Sequence, residues 1–244
     1  MPDTLLEIPT ADGRADAFAA YPDGAGPFPA VLMYPDIFGL RPALRDMANE
    51  IARHGYYVLV PNVFYRDGAA PVVELPDHIG EDQRGDVIGG LMPLVKAHSV
   101  DRVLSDASYY LEFLAEQPQV AGGSVAVTGY CMGAVLALRT AAAHPDRVSV
   151  LAGFHPPNLV SDAPDSPHRL ANDVSARVHI GIADGDMTPE QVDQLRGAFD
   201  AAGVENTCEI YEGAAHGFTM ADTDAFDAAA SQRHWDRLFT LLDR

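Results

Sequence analysis

Five residues, Gly129-Tyr130-Cys131-Met132-Gly133, constrain the fold of this chain more than any other stretch. The apolar run 124–128 leads into them and an alanine-rich helical run, 134–143, leads out, so a strand must turn into a helix within a few residues. The residue at the centre of such a corner takes a strained backbone conformation, and glycines on either side keep strand and helix from colliding. That strain lifts the cysteine side chain above the sheet edge. There the first turn of the helix offers its positive dipole end and free N–H groups to a developing anion and favours thiolate over thiol. A small buried cysteine packed beside glycines is the competing reading, because free cysteine is among the most buried residue types. The rest of the chain decides between them.

Eight apolar and β-branched runs, at 5–8, 15–21, 30–34, 57–60, 124–128, 149–154, 177–183 and 207–211, have the length and composition of strands. The first two flank the turn-rich "PTADGR" and suit a hairpin. The later runs are separated by helical patterns at 42–54, 100–116, 134–143, 189–202 and about 225–242, which is how parallel crossovers read. The pattern predicts an α/β fold of about eight mostly parallel strands, with an N-terminal hairpin and helices on both faces. A chain of 244 residues suits one domain, spanning 1–244. Two connections, 62–98 and 155–174, are rich in Pro, Gly and Asp and read as long loops that roof a pocket.

Sixteen basic residues against thirty-five acidic ones give a net charge of −19, which repels nucleic acid and anionic membrane surfaces. No segment approaches the roughly 20 apolar residues of a membrane helix, and "MPDTLLEIPTADGR" lacks the pattern of an export signal, so a cytoplasmic protein is expected. In that compartment the two cysteines, Cys131 and Cys208, read as free thiols, with Cys208 structural. No strand is followed by Gly-x-Gly-x-x-Gly or a Gly-Lys-Ser/Thr loop, and His78, His98 and His168 have no metal-ligand spacing, so no cofactor and no metal are implied.

A nucleophile at the corner needs a base and a group to orient it, and α/β-hydrolases supply the acid and then the histidine further along the chain. Both are found at strand ends. The run 178–183 ends in "DGDMTPE", and the run 207–211 ends in "EGAAHGF", which brings Asp184, Asp186 and His216 to loops at one sheet edge. After the third strand, "AVLMYPDIFGL" puts Asp36 and Ile37 where a second oxyanion N–H is expected; Ile37 is assigned that role and Met132 the first. A solvated loop aspartate is the plainer reading of Asp36. Among the other histidines, His54, His144 and His234 read as solvated or capping, His179 as packed in a strand, and His155 as either a pocket or a turn residue.

Together "DIFGL", "GYYVLVPNVFYRDG", "GYCMGA", "GIADGDMTPE" and "HGF" resemble the dienelactone hydrolase family of α/β-hydrolases, including its carboxymethylenebutenolidase-like members, over nearly the whole chain. The resemblance implies a Cys131–acid–His216 triad that attacks a small ester or lactone and passes through an acyl-thioester. It also implies that the acidic residue at Asp36 controls ionisation of the thiol. The family's A-x-x-D spacing selects Asp186 as the triad acid, whereas a shorter G-x-x-D reading selects Asp184; Asp186 is preferred. Members acting on dienelactone carry an arginine four residues past the histidine, where this chain has Met220. The counterpart of a second substrate-binding arginine is open between Arg66 and Arg84. Neutral substrates are therefore expected to outrun carboxylated ones, and an arginine introduced at Met220 to shift the preference toward the carboxylated substrate. The same acyl-enzyme would serve acyl transfer or thioester hydrolysis, and a non-catalytic ligand-binding protein on the hydrolase fold is a third alternative.

Overall fold

The strands are Asp3–Thr10 (β1), Gly13–Ala20 (β2), Ala30–Tyr34 (β3), Tyr57–Pro61 (β4), Val125–Tyr130 (β5), Val148–Phe154 (β6), Arg177–Ala183 (β7) and Asn206–Tyr211 (β8). They form one sheet in the order β1-β2-β4-β3-β5-β6-β7-β8 in a computed structural model that describes residues 3–243. The β1–β2 and β2–β4 pairs are antiparallel and all other pairs parallel, so the predicted hairpin and parallel sheet are both present. The single-domain reading of 1–244 includes Met1, Pro2 and Arg244, which lie outside the described residues.

Six helices cover the sheet: Pro42–Arg53 (α1), Glu81–Ala97 (α2), Val100–Glu116 (α3), Met132–Ala143 (α4), Pro189–Ala201 (α5) and Ala228–Leu242 (α6). The helix α1 starts with Pro42 in its first turn and buries Leu44, Met47, Ala48, Ile51 and Ala52 along one stripe. Each large side chain so buried stabilises the fold by about 1.5–3 kcal/mol. That stripe shares one face of the sheet with Leu238 and Leu241 of α6. The opposite face is packed by α3, α4 and α5 through Val103, Leu111, Leu136 and Leu195. Side-chain caps fix several starts: Thr188 and Gln191 form a capping box on α5, and Asp227 accepts from the Ala230 amide on α6.

The two long connections differ from expectation. The first contains α2, and the second contains a 3-10 segment, Pro167–Asp173. The helix α2 has no amphipathic stripe: Gly85, Gly89, Gly90 and Pro93 interrupt it and only Leu91 is buried. Weak helix formers without periodicity read as loop. It is held from outside, because Leu91 packs with Phe38 and Ile79, and Ile79 pairs with Thr223 across a β-bridge. A second correction concerns His234. It is fully buried on α6, with Nε2 3.0 Å from the Tyr130 hydroxyl, and burial pushes its pKa down to about 3, so it is a neutral core group.

Among the described residues, no helix is long and apolar enough to cross a membrane. Cys131 and Cys208 are unpaired, and Cys208 is buried in β8.

Candidate active site

Cys131 links the last residue of β5 to the first of α4 and has φ 52° and ψ −122°, a conformation that side chains other than glycine rarely take. The flanking glycines make it possible. A Cβ at Gly129 would overlap the Gly133 carbonyl, and one at Gly133 would overlap the Pro35 carbonyl. The Cys131 amide donates to the Phe154 carbonyl at 3.0 Å, which ties the corner to β6. Because β3 lies beside β5 with Tyr34 level with Gly129, the turn carrying Asp36 and Ile37 reaches the same edge. Neither the Ile37 nor the Met132 amide donates to a loop carbonyl among the described residues, and both residues line the cavity at Cys131.

The loops after β7 and β8 bring the remaining groups together. His216 Nε2 lies 3.0 Å from Cys131 Sγ, and its Nδ1 lies 2.6 Å from Asp186 Oδ2. Asp184 is turned away: its Oδ2 accepts from the Gly213 amide at 2.9 Å on the exposed side of the loop. Burial alone would lower the His216 pKa, but the hydrogen bonds to Asp186 and Cys131 and the charges behind them push it up to about 10. A His216 ring that keeps its proton thus faces Cys131 Sγ at hydrogen-bonding distance.

Asp36 is not solvated, and although it lines the Cys131 cavity its hydrogen bonds go to Arg41 and the Phe38 amide. It is buried, and its carboxylate is gripped by Arg41, with Nη1 to Oδ1 at 2.6 Å and Nη2 to Oδ2 at 3.0 Å. The same oxygen, Oδ1, accepts from the Phe38 amide at 3.1 Å. Arg41 gives its remaining donors to Asp222, 2.6 Å from Nε, and to the Gly39 carbonyl, 3.2 Å from Nη1, and its Nη2 rests 3.4 Å from Met220 Sδ. Nothing in the sequence singles Arg41 out, since an arginine just before a helix-starting proline resembles any surface cation. Replacing it would strand a buried carboxylate: Arg41→Leu should destabilise the protein by about 3 kcal/mol or more, read as a lower urea midpoint.

The two candidate arginines separate clearly. Arg66 is bound to Asp106 and Asp12 and lines no cavity at Cys131. Arg84, on α2, donates from Nη2 to the His216 carbonyl at 2.9 Å and lines the Cys131 cavity with Met220. Met220 is buried, lines the Cys131 cavity and rests on Arg41, so an arginine at this position would stand beside Arg41 and its partners Asp36 and Asp222.

His155 is a pocket residue. It is fully buried with φ 37°, its Nε2 is 2.7 Å from Thr219 Oγ1, and its ring stands edge-on to His216 at 5.3 Å between centroids. Burial holds its pKa well below the ordinary value, so it supports the His216 ring as a neutral group. Among the described residues no cluster of three or more His, Cys, Asp or Glu is disposed to hold a metal ion. A cavity of about 700 Å³ between α1 and α6 is lined by none of Cys131, Asp186 or His216. The cavities that reach Cys131 are smaller, about 330 and 200 Å³.

The model of the "Dienelactone hydrolase family" matches residues 15–244. The chain is 27% identical to the "Putative carboxymethylenebutenolidase" of Methylorubrum extorquens over 241 residues, which are 96% of this chain and 78% of that one. It is 25% identical to the carboxymethylenebutenolidase of Rhodococcus opacus over 228 residues, covering 88% of this chain and 80% of that one. In fold it is similar to the crystal structure named "Putative Dienelactone Hydrolase" from Klebsiella pneumoniae subsp. pneumoniae, with a TM-score of 0.84 at 21% identity over 100% of this chain and 98% of that one.

Proposed function

This chain belongs to the dienelactone hydrolase family of α/β-hydrolases, enzymes acting on carboxylic esters, and from that premise we propose that Cys131 is the nucleophile of a thiol-dependent esterase or lactonase. The observation that carries the proposal is the unbroken relay Cys131 Sγ, His216, Asp186, with contacts of 3.0 and 2.6 Å. The thiolate attacks the carbonyl carbon and a C–S bond forms. The oxyanion is received by the Ile37 and Met132 amides. When the tetrahedral species collapses, the C–O bond breaks and the leaving oxygen takes the proton from His216 Nε2. Water then adds to the thioester and gives a proton to Nε2, and the thiolate departs with release of the acid. No cofactor enters any step.

Asp36 acts in this scheme as a positioning residue. Held by Arg41 and bonded to the Phe38 amide, it fixes the turn that presents the Ile37 N–H. Trapping supplies the test: acid quench during turnover of p-nitrophenyl acetate should leave the acetyl group on the Cys131 peptide by mass spectrometry, and an acyl group on another residue would overturn the proposal.

Substrate charge follows from the same cavity. Arg41 is spent on two carboxylates, Arg84 is bonded to the His216 carbonyl, Arg139 stands on the wall of the other cavity, and the net charge of −19 disfavours anions at long range. Neutral esters or lactones are therefore the better substrates. Arg84→Gln should lower kcat/KM for an ester with a carboxylate on its alcohol part, such as 3-carboxyphenyl acetate, about tenfold or more, while phenyl acetate changes little. Equal losses on both substrates would assign Arg84 to the cavity wall alone. The acidic surface also supports a small-molecule partner over nucleic acid or membrane, and the two unpaired thiols fit a reducing, cytoplasmic compartment. One continuous sheet with its two faces covered supports a single-domain unit.

A further inference from the structure

Two cavities meet at the nucleophile, and Ile37, Cys131 and Pro157 line both. Their chemistry differs. The one of about 200 Å³ holds His216, Arg84 and Asp36. The one of about 330 Å³ runs the other way, between α2, α3 and α4, and is walled by Met92, Val95, Val100, Val135 and Leu136. Of these, Val100 is among the few large apolar side chains left exposed in the described chain, at 38%. The only polar side chains on this wall are His98 and Arg139. Leu136 and Val103 on this wall are buried, and Val100 stands open at its rim beside the thiol.

Resting on the thiol-esterase reading, we propose that the larger cavity is the acyl subsite and that it takes an unbranched aliphatic acyl chain. The direction follows from the proton. His216 Nε2 must reach the leaving oxygen, so the alcohol portion lies on the His216 side, in the smaller cavity. With Ile37 and Met132 holding the carbonyl oxygen, the acyl chain leaves the carbonyl carbon away from His216, along the apolar wall. Met92 of α2 and Val135 of α4 both line this path, and they set the acyl length accepted. The substrates so selected are neutral esters or thioesters of medium-chain fatty acids, larger in the acyl part than a dienelactone.

The test is a p-nitrophenyl ester series from acetate to octanoate with the wild type, Val135→Phe and Met92→Phe. In the wild type kcat/KM should rise about three- to fivefold for each methylene buried, then level off where the cavity ends. In each variant the hexanoate-to-acetate ratio should collapse to about one or below, because the added ring fills the path. A parallel series that lengthens the alcohol at constant acetate should be nearly flat. A measurement without turnover accompanies it: hexanamide should slow iodoacetamide labelling of Cys131 more than acetamide does, and the two variants should erase that difference. A flat acyl series, a slope on the alcohol side instead, or hexanamide protecting no better than acetamide would overturn the subsite. If protection holds but no ester is turned over, the subsite stands and the esterase reading falls.

Discussion

Cys131→Ala is expected to lower kcat by about 10⁴-fold or more, because no other group in the cavity can form the covalent intermediate. Cys208→Ser should turn over normally. The contrast has a physical basis: Cys208 is buried in β8, and burial pushes its pKa up to about 12, so it is neither ionised nor accessible at neutral pH. Iodoacetamide should therefore inactivate the enzyme with one equivalent, located on Cys131 by peptide mapping. Cys131→Ser should retain little activity, since the hydroxyl is far less acidic than the thiol and would depend on a neutral His216 as base. Undiminished turnover by the alanine variant would remove Cys131 from the mechanism.

Asp186→Asn should be nearly as damaging, with a loss of about 10⁴-fold in kcat and the fold intact, because the amide can no longer fix the His216 tautomer or stabilise its charge. The neighbouring Asp184→Asn should leave the rate within a few-fold and instead weaken the loop, since Asp184 only accepts the Gly213 amide. The two substitutions also differ in pH dependence. In the wild type the His216 pairings contribute fully to stability below the ordinary histidine pKa of 6.5, where folded and unfolded chains both hold the proton. As pH rises from there, only the folded chain keeps it, so the contribution declines and is gone above about 10. Asp186→Asn should bring the His216 titration, followed by histidine carbon NMR, back toward 6.5 and flatten this decline, and Asp184→Asn should do neither. Reversed results would move the acid two residues along the chain.

The sheet was readable because its strands are apolar runs with turn residues at their ends, and the elbow because an apolar run and a helical run meet at the two glycines around Cys131. Order along the chain then marked His216 and the two aspartates. Periodicity failed where the reasons for structure are tertiary. The helix α2 has no stripe of its own, and what places it is contact with Phe38 and Ile79. His234 sits on a helix that looks half solvated in sequence, yet its ring closes onto Tyr130 and Phe154 in the core. Arg41 escaped notice because its partners, Asp36 and Asp222, are 5 and 181 residues away, and no local pattern reports a pairing across that distance. For the same reason Asp36 reads as a free acid near a thiol in the sequence, while the folded chain uses it as one end of an ion pair.

The composition of α2 has a kinetic side. Three interior glycines and a proline make this segment intrinsically less helical than an alanine equivalent by roughly 6 kcal/mol, so its order is borrowed almost entirely from its neighbours. Segments of that kind open in sub-global fluctuations well before the sheet does. Yet α2 carries Arg84, Ile88 and Met92, which wall both chambers at Cys131. The cover of the reaction chamber is thus the part of the molecule whose own helix propensity is poorest. Under the proposed mechanism, water and acid pass a helix whose order depends on its neighbours rather than on its own four helix-breaking residues.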